Sequence, residues 1–443
     1  MASTDGTVIA AERPSLIRAI GKWALTAAII NSVIGSGVFG LPSPVTAFVG
    51  EWSPLAVLVS GAGIFVIVLC FAEVGSRFEG AGGPYLYTRT VFGPLLGFQV
   101  GWLHIWTRLL SCAAVLNVLS AYLAPLVPWA GTPTGRASVM IFTMTLVTVI
   151  NVIGVRQAAW TVTGFTIAKL LPLGLLIALG IFQLDSDVIA TQRVADPKWT
   201  EAVLLLMFAY GGFESGIVAG SETRNPKRDT SFALISAMLL ITLIYCLVQL
   251  VVVGVLPNAG SSKAPVAETL GVMLGPAGLL VGSMAVIISV YGWLTGFSLM
   301  GSRIIYSMAE QGEFPRALGN VHPKTRTPHL AIIINSAIGL GLGLASNFGQ
   351  LATFSAIARL GIYIATCAAL IALRKKSGIP ENFRAPGGIA LAVVGIVFCL
   401  WLLSTRSLAQ AWFLPVVIAM GALLSLPRWY ARRQLTRNAA HNG

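Results

Sequence analysis

Charge is the first scarcity in this chain. Of 443 residues, 10% are Asp, Glu, Lys or Arg against 56% hydrophobic, and the mean hydropathy is +0.82. Soluble domains carry about a quarter charged residues, so water is excluded as the solvent of most of this surface and lipid takes its place. Cysteine is scarce too. Cys70, Cys112, Cys246, Cys367 and Cys399 sit in apolar runs with no C-x-x-C or metal spacing, which excludes a disulfide framework and leaves them as small core residues. Only four histidines occur, and HExxH, GxSxG and Walker glycine loops are missing. An intramembrane enzyme would need such a nucleophile–base or metal constellation, so neither catalysis nor a metal or other cofactor is expected. The net charge of +13 is not gathered into a basic patch interleaved with aromatics, which argues against nucleic acid. The polar stretch "MASTDGTVIAAERPSLIRAIGK" before the first apolar run lacks the basic-then-apolar order of a signal peptide.

What is abundant is apolar sequence in helix-length runs. A crossing needs about 20 mostly apolar residues. Twelve are expected, near 23–48, 54–76, 92–124, 138–154, 158–183, 200–221, 231–256, 276–308, 329–346, 350–373, 388–404 and 410–427. The third and eighth are long enough to extend into the aqueous phase. With the N-terminus cytoplasmic, twenty-one of the 29 Lys and Arg residues fall in cytoplasmic connections or tails and five fall outside. Arg108, Lys169 and Arg359 remain inside spans. The positive-inside rule then places both termini in the cytoplasm and sets the basic face against anionic headgroups.

The first span contains "IINSVIGSGVFGLP", residues Ile29 to Pro42, with Gly35, Ser36, Gly37 and Gly40 near its middle. Each interior glycine costs a helix about 1 kcal/mol relative to alanine, and irregular backbone at membrane depth persists only where protein or a cavity satisfies it. The sixth span repeats the device in "FAYGGFESGIVAGSE", with Gly211 and Gly212 adjacent. A matched pair of Gly-interrupted spans points to two inverted repeats around a binding site; close helix packing is the alternative for either span alone. A half-helix starting near Gly35–Ser36–Gly37 offers free N–H groups to a carboxylate. One ending near Phe208–Gly211 offers carbonyls to an ammonium group. An α-amino acid carries both.

Several blocks resemble the amino acid–polyamine–organocation (APC) family of permeases. They are "IGSGVFGLP", "GAGGPYLYTRTVFGPLLGFQVGW", "FAYGGFESGIVAGSETRNPKRD", "GSRIIYSMAEQGEFPRAL" and "FRAPGG", closest in pattern to the arginine/agmatine antiporter branch. The resemblance implies an all-α membrane protein of twelve transmembrane helices. Helices 1 and 6 are broken within a five-plus-five inverted repeat, and two extra C-terminal helices follow. It implies carboxylate binding by the backbone of Ile34, Gly35, Ser36 and Gly37. Further contacts fall on Phe208 and Gly211 of span 6, Cys112 and Val115 of span 3, Phe297 of span 8 and Ser355 of span 10. A cytoplasm-side gate corresponds to His104, Glu214 and Tyr363. Cys112, Val115 and Phe208 depart from that branch and lean the pocket toward a neutral, moderately apolar amino acid, although Phe can still stack on a cation.

Charges at membrane depth are functional candidates by default. Lys169 looks like the span 5 lysine of many family members, where the ammonium fills the place of a coupling sodium ion. It reads equally as a fixed tether to span 1 carbonyls or as a proton carrier. Glu214 follows the span 6 break and reads as a titrating group or a salt-bridge partner. His104, Arg108 and Cys112 share one helical face, as do Ser355 and Arg359, so a His104–Arg108–Glu214–Arg359 inner gate is expected. Structural pairing and recognition of an acidic substrate are the alternatives. Glu73 and Glu222 read as gate or loop anchors, and Trp102, Trp106, Tyr291 and Trp293 as packing aromatics.

The expected organisation is a tail at 1–22, repeats at 23–184 and 199–373, spans 11 and 12 at 388–427, and a tail at 428–443. The expected function is secondary active transport by alternating access in the plasma membrane, a bacterial inner membrane. The substrate would be a neutral or broad-range amino acid, taken up independently of sodium and coupled to protons. Obligatory exchange, including arginine/agmatine-type exchange, is the alternative, and a channel the more distant one. Pairing with a second copy is left open.

Overall fold

The computed structural model of the protein describes residues 21–78, 83–153, 159–214, 217, 223, 225–310, 312–323, 325, 327–377 and 382–425. Most of both expected tails and Glu222 lie outside these residues. Regular structure among the described residues is helical.

Span 1 comes in three pieces, Lys22–Val33, Ser36–Gly40 and Pro42–Val49. Span 2 is Ser53–Gly75, span 3 Pro94–Leu123, span 4 Pro133–Ile153 and span 5 Ala159–Gly180. Span 6 opens with Trp199–Ala209, and span 7 is Pro226–Val255. Span 8 is Pro276–Glu310, span 9 His329–Ala345, span 10 Phe348–Ser377, span 11 Ile389–Ser404 and span 12 Ala409–Ser425. Spans 3, 4, 7 and 8 each start on a proline, whose fixed φ suits a first turn that has no partner for its N–H. That rule moves the start of span 4 from the expected 138 to Pro133, because its polar first turn hides it from hydropathy. Two connecting helices, Gly83–Phe92 and Pro265–Leu274, were not expected. Span 8, at 35 residues, reaches ~50 Å at 1.5 Å per residue and so passes beyond the hydrocarbon layer.

The packing repeats itself. Span 1 lies on span 7 and span 6 on span 2; span 3 lies on spans 9 and 10, and span 8 on spans 4 and 5. Exchanging the two halves, span 1 for 6, 2 for 7 and so on to 5 for 10, maps each of these contacts onto another. Five crossings per unit make the two units antiparallel in the membrane. Spans 2 and 7 pack on each other between the units; a Cβ on Gly61 would stand 2.6 Å from Thr242 Cγ2, so glycine sets that closeness. Spans 11 and 12 lie outside the repeats. Span 11 covers spans 2 and 10, and the Trp102 indole N–H donates to the Val417 carbonyl of span 12 at 2.8 Å. Phe142, Leu171, Val397 and Leu423 face outward and are exposed, as a lipid-bathed surface requires.

Two carboxylates tie the ends of spans together. Glu73, fully buried at the end of span 2, accepts from Arg374 Nε at 2.8 Å, Arg77 Nη2 at 3.2 Å and the Ala385 amide at 2.8 Å. Ala385 belongs to "FRAPGG", so this carboxylate clasps that motif onto spans 2 and 10. Glu313, beyond span 8, pairs with Arg89 and accepts from the Tyr85 hydroxyl at 3.1 Å. Burial first, and then the Glu313 carboxylate, push Tyr85 up to about 12, so it remains a donor at neutral pH. Removing one partner of a buried ion pair costs about 3–5 kcal/mol. Glu73→Ala is expected to lose roughly that much stability, read as a lowered thermal midpoint in detergent, with Glu73→Gln losing less; equal midpoints for wild type and Glu73→Ala would refute the clasp.

Candidate functional site

The two interruptions meet. Span 1 loses helical geometry at Ile34 (φ −70°, ψ 87°) and Gly35 (φ −119°, ψ −137°), then restarts at Ser36. Span 6 stops at Ala209 and turns through Gly211 and Gly212, the latter at φ +121°. Ser32 Oγ donates to the Gly212 carbonyl at 2.9 Å. Side chains are excluded at the crossing: a Cβ on Gly37 would stand 2.7 Å from Ala209 Cα, and one on Gly212 would stand 2.6 Å from Ser32 O.

Donors from outside the two spans hold the broken ends. Lys169, 2% exposed, reaches from span 5 to the carbonyls of Asn31 and Ile34 at 2.6 and 2.8 Å. These are carbonyls that a continuous helix would have bonded internally. The Tyr245 hydroxyl of span 7 lies 3.2 Å from Val33 O and 3.1 Å from Ala209 O, so its single proton serves both breaks in turn.

Between the breaks lies a cavity of about 30 Å³. A water needs ~10–15 Å³ in the same measure, so the site has space for about two. Ser32, Gly35, Ser36, Gly37, Val115, Phe208, Gly211, Gly212, Trp293, Arg108 and Arg359 are in its wall. The first-turn N–H groups at Ser36 and Gly37, beyond reach of their own helix's carbonyls, are on that wall.

Beside the cavity, Arg359 Nη1 meets Glu214 Oε1 at 3.0 Å and Oε2 at 3.2 Å. The Tyr363 hydroxyl donates to Oε1 at 2.8 Å, and the Gly212 amide to Oε2 at 2.7 Å. All three side chains are buried. A Cβ on Gly211 would stand 2.1 Å from Arg359 Cζ, so this glycine makes room for the guanidinium. Arg359 Nη2 continues to Ser111 Oγ at 3.3 Å, which lies 3.1 Å from Ser355 Oγ.

The sequence expectation needs correcting at several residues. Within the expected four-membered gate, Glu214 takes hydrogen bonds from Arg359 and from Tyr363. Arg108 lies over the Trp293 and Phe297 rings, 5.9 and 5.7 Å from their centroids, and lines the cavity alongside Arg359. Among the described residues the buried His104 ring makes no hydrogen bond to Glu214; Tyr363 holds that position. Cys112, expected beside Val115, points to span 9, its Sγ 3.1 Å from where a Gly339 Cβ would stand. Three positions along the helix, about 60° around its axis, separate the two side chains. Phe297 stacks behind Trp293, centroids 5.5 Å apart at 9°, and Trp293 rather than Phe297 reaches the cavity. Ser355 supports Ser111 from below. Ser32, Ser111 and Tyr245 were missed, and Trp293, read as a packing aromatic, lies in the cavity wall; the i, i+4 spacing of Trp293 and Phe297 was the one available signal. Among the described residues no trio of His, Cys, Asp or Glu is placed to hold a metal.

Twelve spans, two of them interrupted where they meet at a small cavity, define a multi-span membrane transport protein. Residues 20–425 match the amino acid permease family, and the chain belongs to that family. It is 28% identical over 437 residues to the serine/threonine exchanger SteT of Bacillus subtilis, covering 96% of this chain and 98% of the relative. It is 27% identical to the branched-chain amino acid permease BcaP of the same species, over 88% of each. Against the mouse large neutral amino acids transporter small subunit 2 it is 27% identical, over 93% of this chain and 80% of the relative. The protein is an amino acid transporter rather than an enzyme.

Two outcomes follow from the geometry. Gly37→Ala pushes span 1 off Ala209, and overpacking of that kind costs about 1–3 kcal/mol. Transport in vesicles is expected to fall about tenfold or more while the protein still elutes as a single species; full activity would show that the crossing can relax. Glu214→Gln weakens the pairing of a buried guanidinium and should lower the thermal midpoint more than Tyr363→Phe, which removes one hydrogen bond worth about 1 kcal/mol. The reverse order would contradict the assigned pairing.

Proposed function

We propose that the protein takes up a neutral amino acid across a bacterial plasma membrane by alternating access, independently of sodium and coupled to protons, with both termini cytoplasmic. The observation that carries this reading is the Lys169 ammonium on the carbonyls of Asn31 and Ile34. A resident cation at the span 1 break leaves a sodium ion neither the charge complement nor the carbonyls it would need. In this reading the substrate carboxylate takes the N–H groups at Ser36–Gly37, and its ammonium the carbonyls at the span 6 break.

The wall supports a neutral side chain. Val115, Phe208 and Trp293 are apolar or aromatic, and the guanidiniums of Arg108 and Arg359 both line the space, so a basic substrate would place like charges together at low dielectric. This disfavours arginine/agmatine-type exchange. Exchange of neutral amino acids is the second reading, favoured by the name of the relative SteT.

Purified protein in sodium-free liposomes, offered a panel of labelled amino acids that includes aspartate and arginine, tests both. Expected is accumulation of neutral amino acids in empty vesicles under an inward proton gradient, lost in Lys169→Ala. Uptake confined to preloaded vesicles would replace symport by exchange and reduce Lys169 to a tether. Stimulation by sodium would overturn the coupling.

A further inference from the structure

Gly40, the last glycine of "GSGVFG", has no part in the break, the carbonyl capping or the crossing with span 6. Its surroundings give it a different use. A Cβ there would stand 2.6 Å from Cζ and 2.9 Å from Cε1 of Phe348, and 3.0 Å from Val118 Cγ2. The tip of the Phe348 ring therefore lies close against span 1, where a side chain at position 40 would force it to shift. On its other side the ring meets Phe208 edge-on, centroids 6.0 Å apart at 84°, and Phe208 is a wall of the cavity.

The local chain fixes where Phe348 stands. It is the first residue of the span 10 helix. Asn347 Oδ1 accepts from the Gln350 amide at 2.9 Å and the Asn347 carbonyl from the Leu351 amide at 3.1 Å, the pattern of an N-cap. A capped first turn directs a half-buried aromatic ring across the gap between spans 1, 3 and 6. Ser346 and Asn347 form the turn between spans 9 and 10, which faces outward in the expected orientation.

Resting on the reading of this cavity as an amino acid site, we propose that Phe348 is the outer lid of the cavity and a specificity-determining residue, limiting the size of substrate side chain that can be enclosed. Phe208 forms the wall and Phe348 closes the space above it; Gly40 is the seat that lets the lid shut. Removing the ring leaves small substrates loosely held and opens room for larger ones. Filling the seat displaces the ring and has the same effect without touching it.

The test compares wild type, Phe348→Ala, Phe348→Leu and Gly40→Ala in proteoliposomes, with KM and turnover measured for glycine, serine, leucine and phenylalanine. Expected is a rise in KM for the small substrates of about tenfold in Phe348→Ala at nearly unchanged turnover. Efficiency for the largest substrate should rise at the same time. Gly40→Ala should follow Phe348→Ala, and Phe348→Leu should fall between it and wild type. A merely structural defect lowers efficiency for every substrate alike. A uniform loss, or an unchanged order of KM values, in variants of a transporting wild type overturns the lid assignment alone. A wild type that carries none of the four overturns the amino acid reading and the lid with it.

Discussion

Everything in this molecule hangs on how unpaired backbone is satisfied at membrane depth. A helix that stops within the bilayer leaves carbonyls and amides that lipid cannot bind, at several kcal/mol each. Here the carbonyls at Asn31 and Ile34 receive the Lys169 ammonium, and those at Val33 and Ala209 share the Tyr245 hydroxyl. These donors come from spans 5 and 7, so the rest of the bundle is arranged to bring them there. The amides of the restarted helix are left to the cavity. The asymmetry is informative: protein donors occupy the carbonyl end of the span 1 break, and the proposed reading gives the N–H end to the substrate carboxylate.

The same economy governs the buried charges. Arg359 and Glu214 neutralise one another, and Tyr363 and the Gly212 amide fill the remaining acceptor sites of the carboxylate. A pair so placed spans two elements, the interrupted span 6 and the continuous span 10. It holds them together only while both partners remain in line. Glu73 and Glu313 repeat the arrangement nearer the aqueous ends, where Glu73 gathers donors from span 10 and the loop before span 11, and Glu313 from the connecting helix Gly83–Phe92. The cavity is thus flanked by polar clasps rather than bounded by apolar contact alone.

The architecture was legible because its signals are long-range averages. Hydropathy located the spans, and the glycines of "GSGVFG" and "YGG" located both interruptions before any coordinates. Element ends were read less well. Pro133 opens span 4 in a polar turn, and Pro265–Leu274 is too short and too connective to register as a crossing. At the site, residues acting through their backbone, Gly35 to Gly37 and Gly211, stood out because glycine is costly in a helix. Side-chain direction did not. Cys112 and Val115 are three positions apart and face different neighbours, and Arg108 lies on aromatic rings that sequence spacing could not place opposite it. Tyr245 carried no signal at all, being an ordinary aromatic in an apolar run until span 7 is set against both breaks.

The glycine crossing of spans 1 and 6 also divides the labour of the molecule in a way that bears on its descent. In the proposed reading the groups common to every amino acid are met by main chain, whose geometry Gly37 and Gly212 hold by excluding any side chain. In that same reading, what distinguishes one amino acid from another meets the side chains of Val115, Phe208 and Trp293. Mutation can redraw that second surface without disturbing the first. A scaffold of this kind can change its cargo through a handful of substitutions while its moving parts stay as they are.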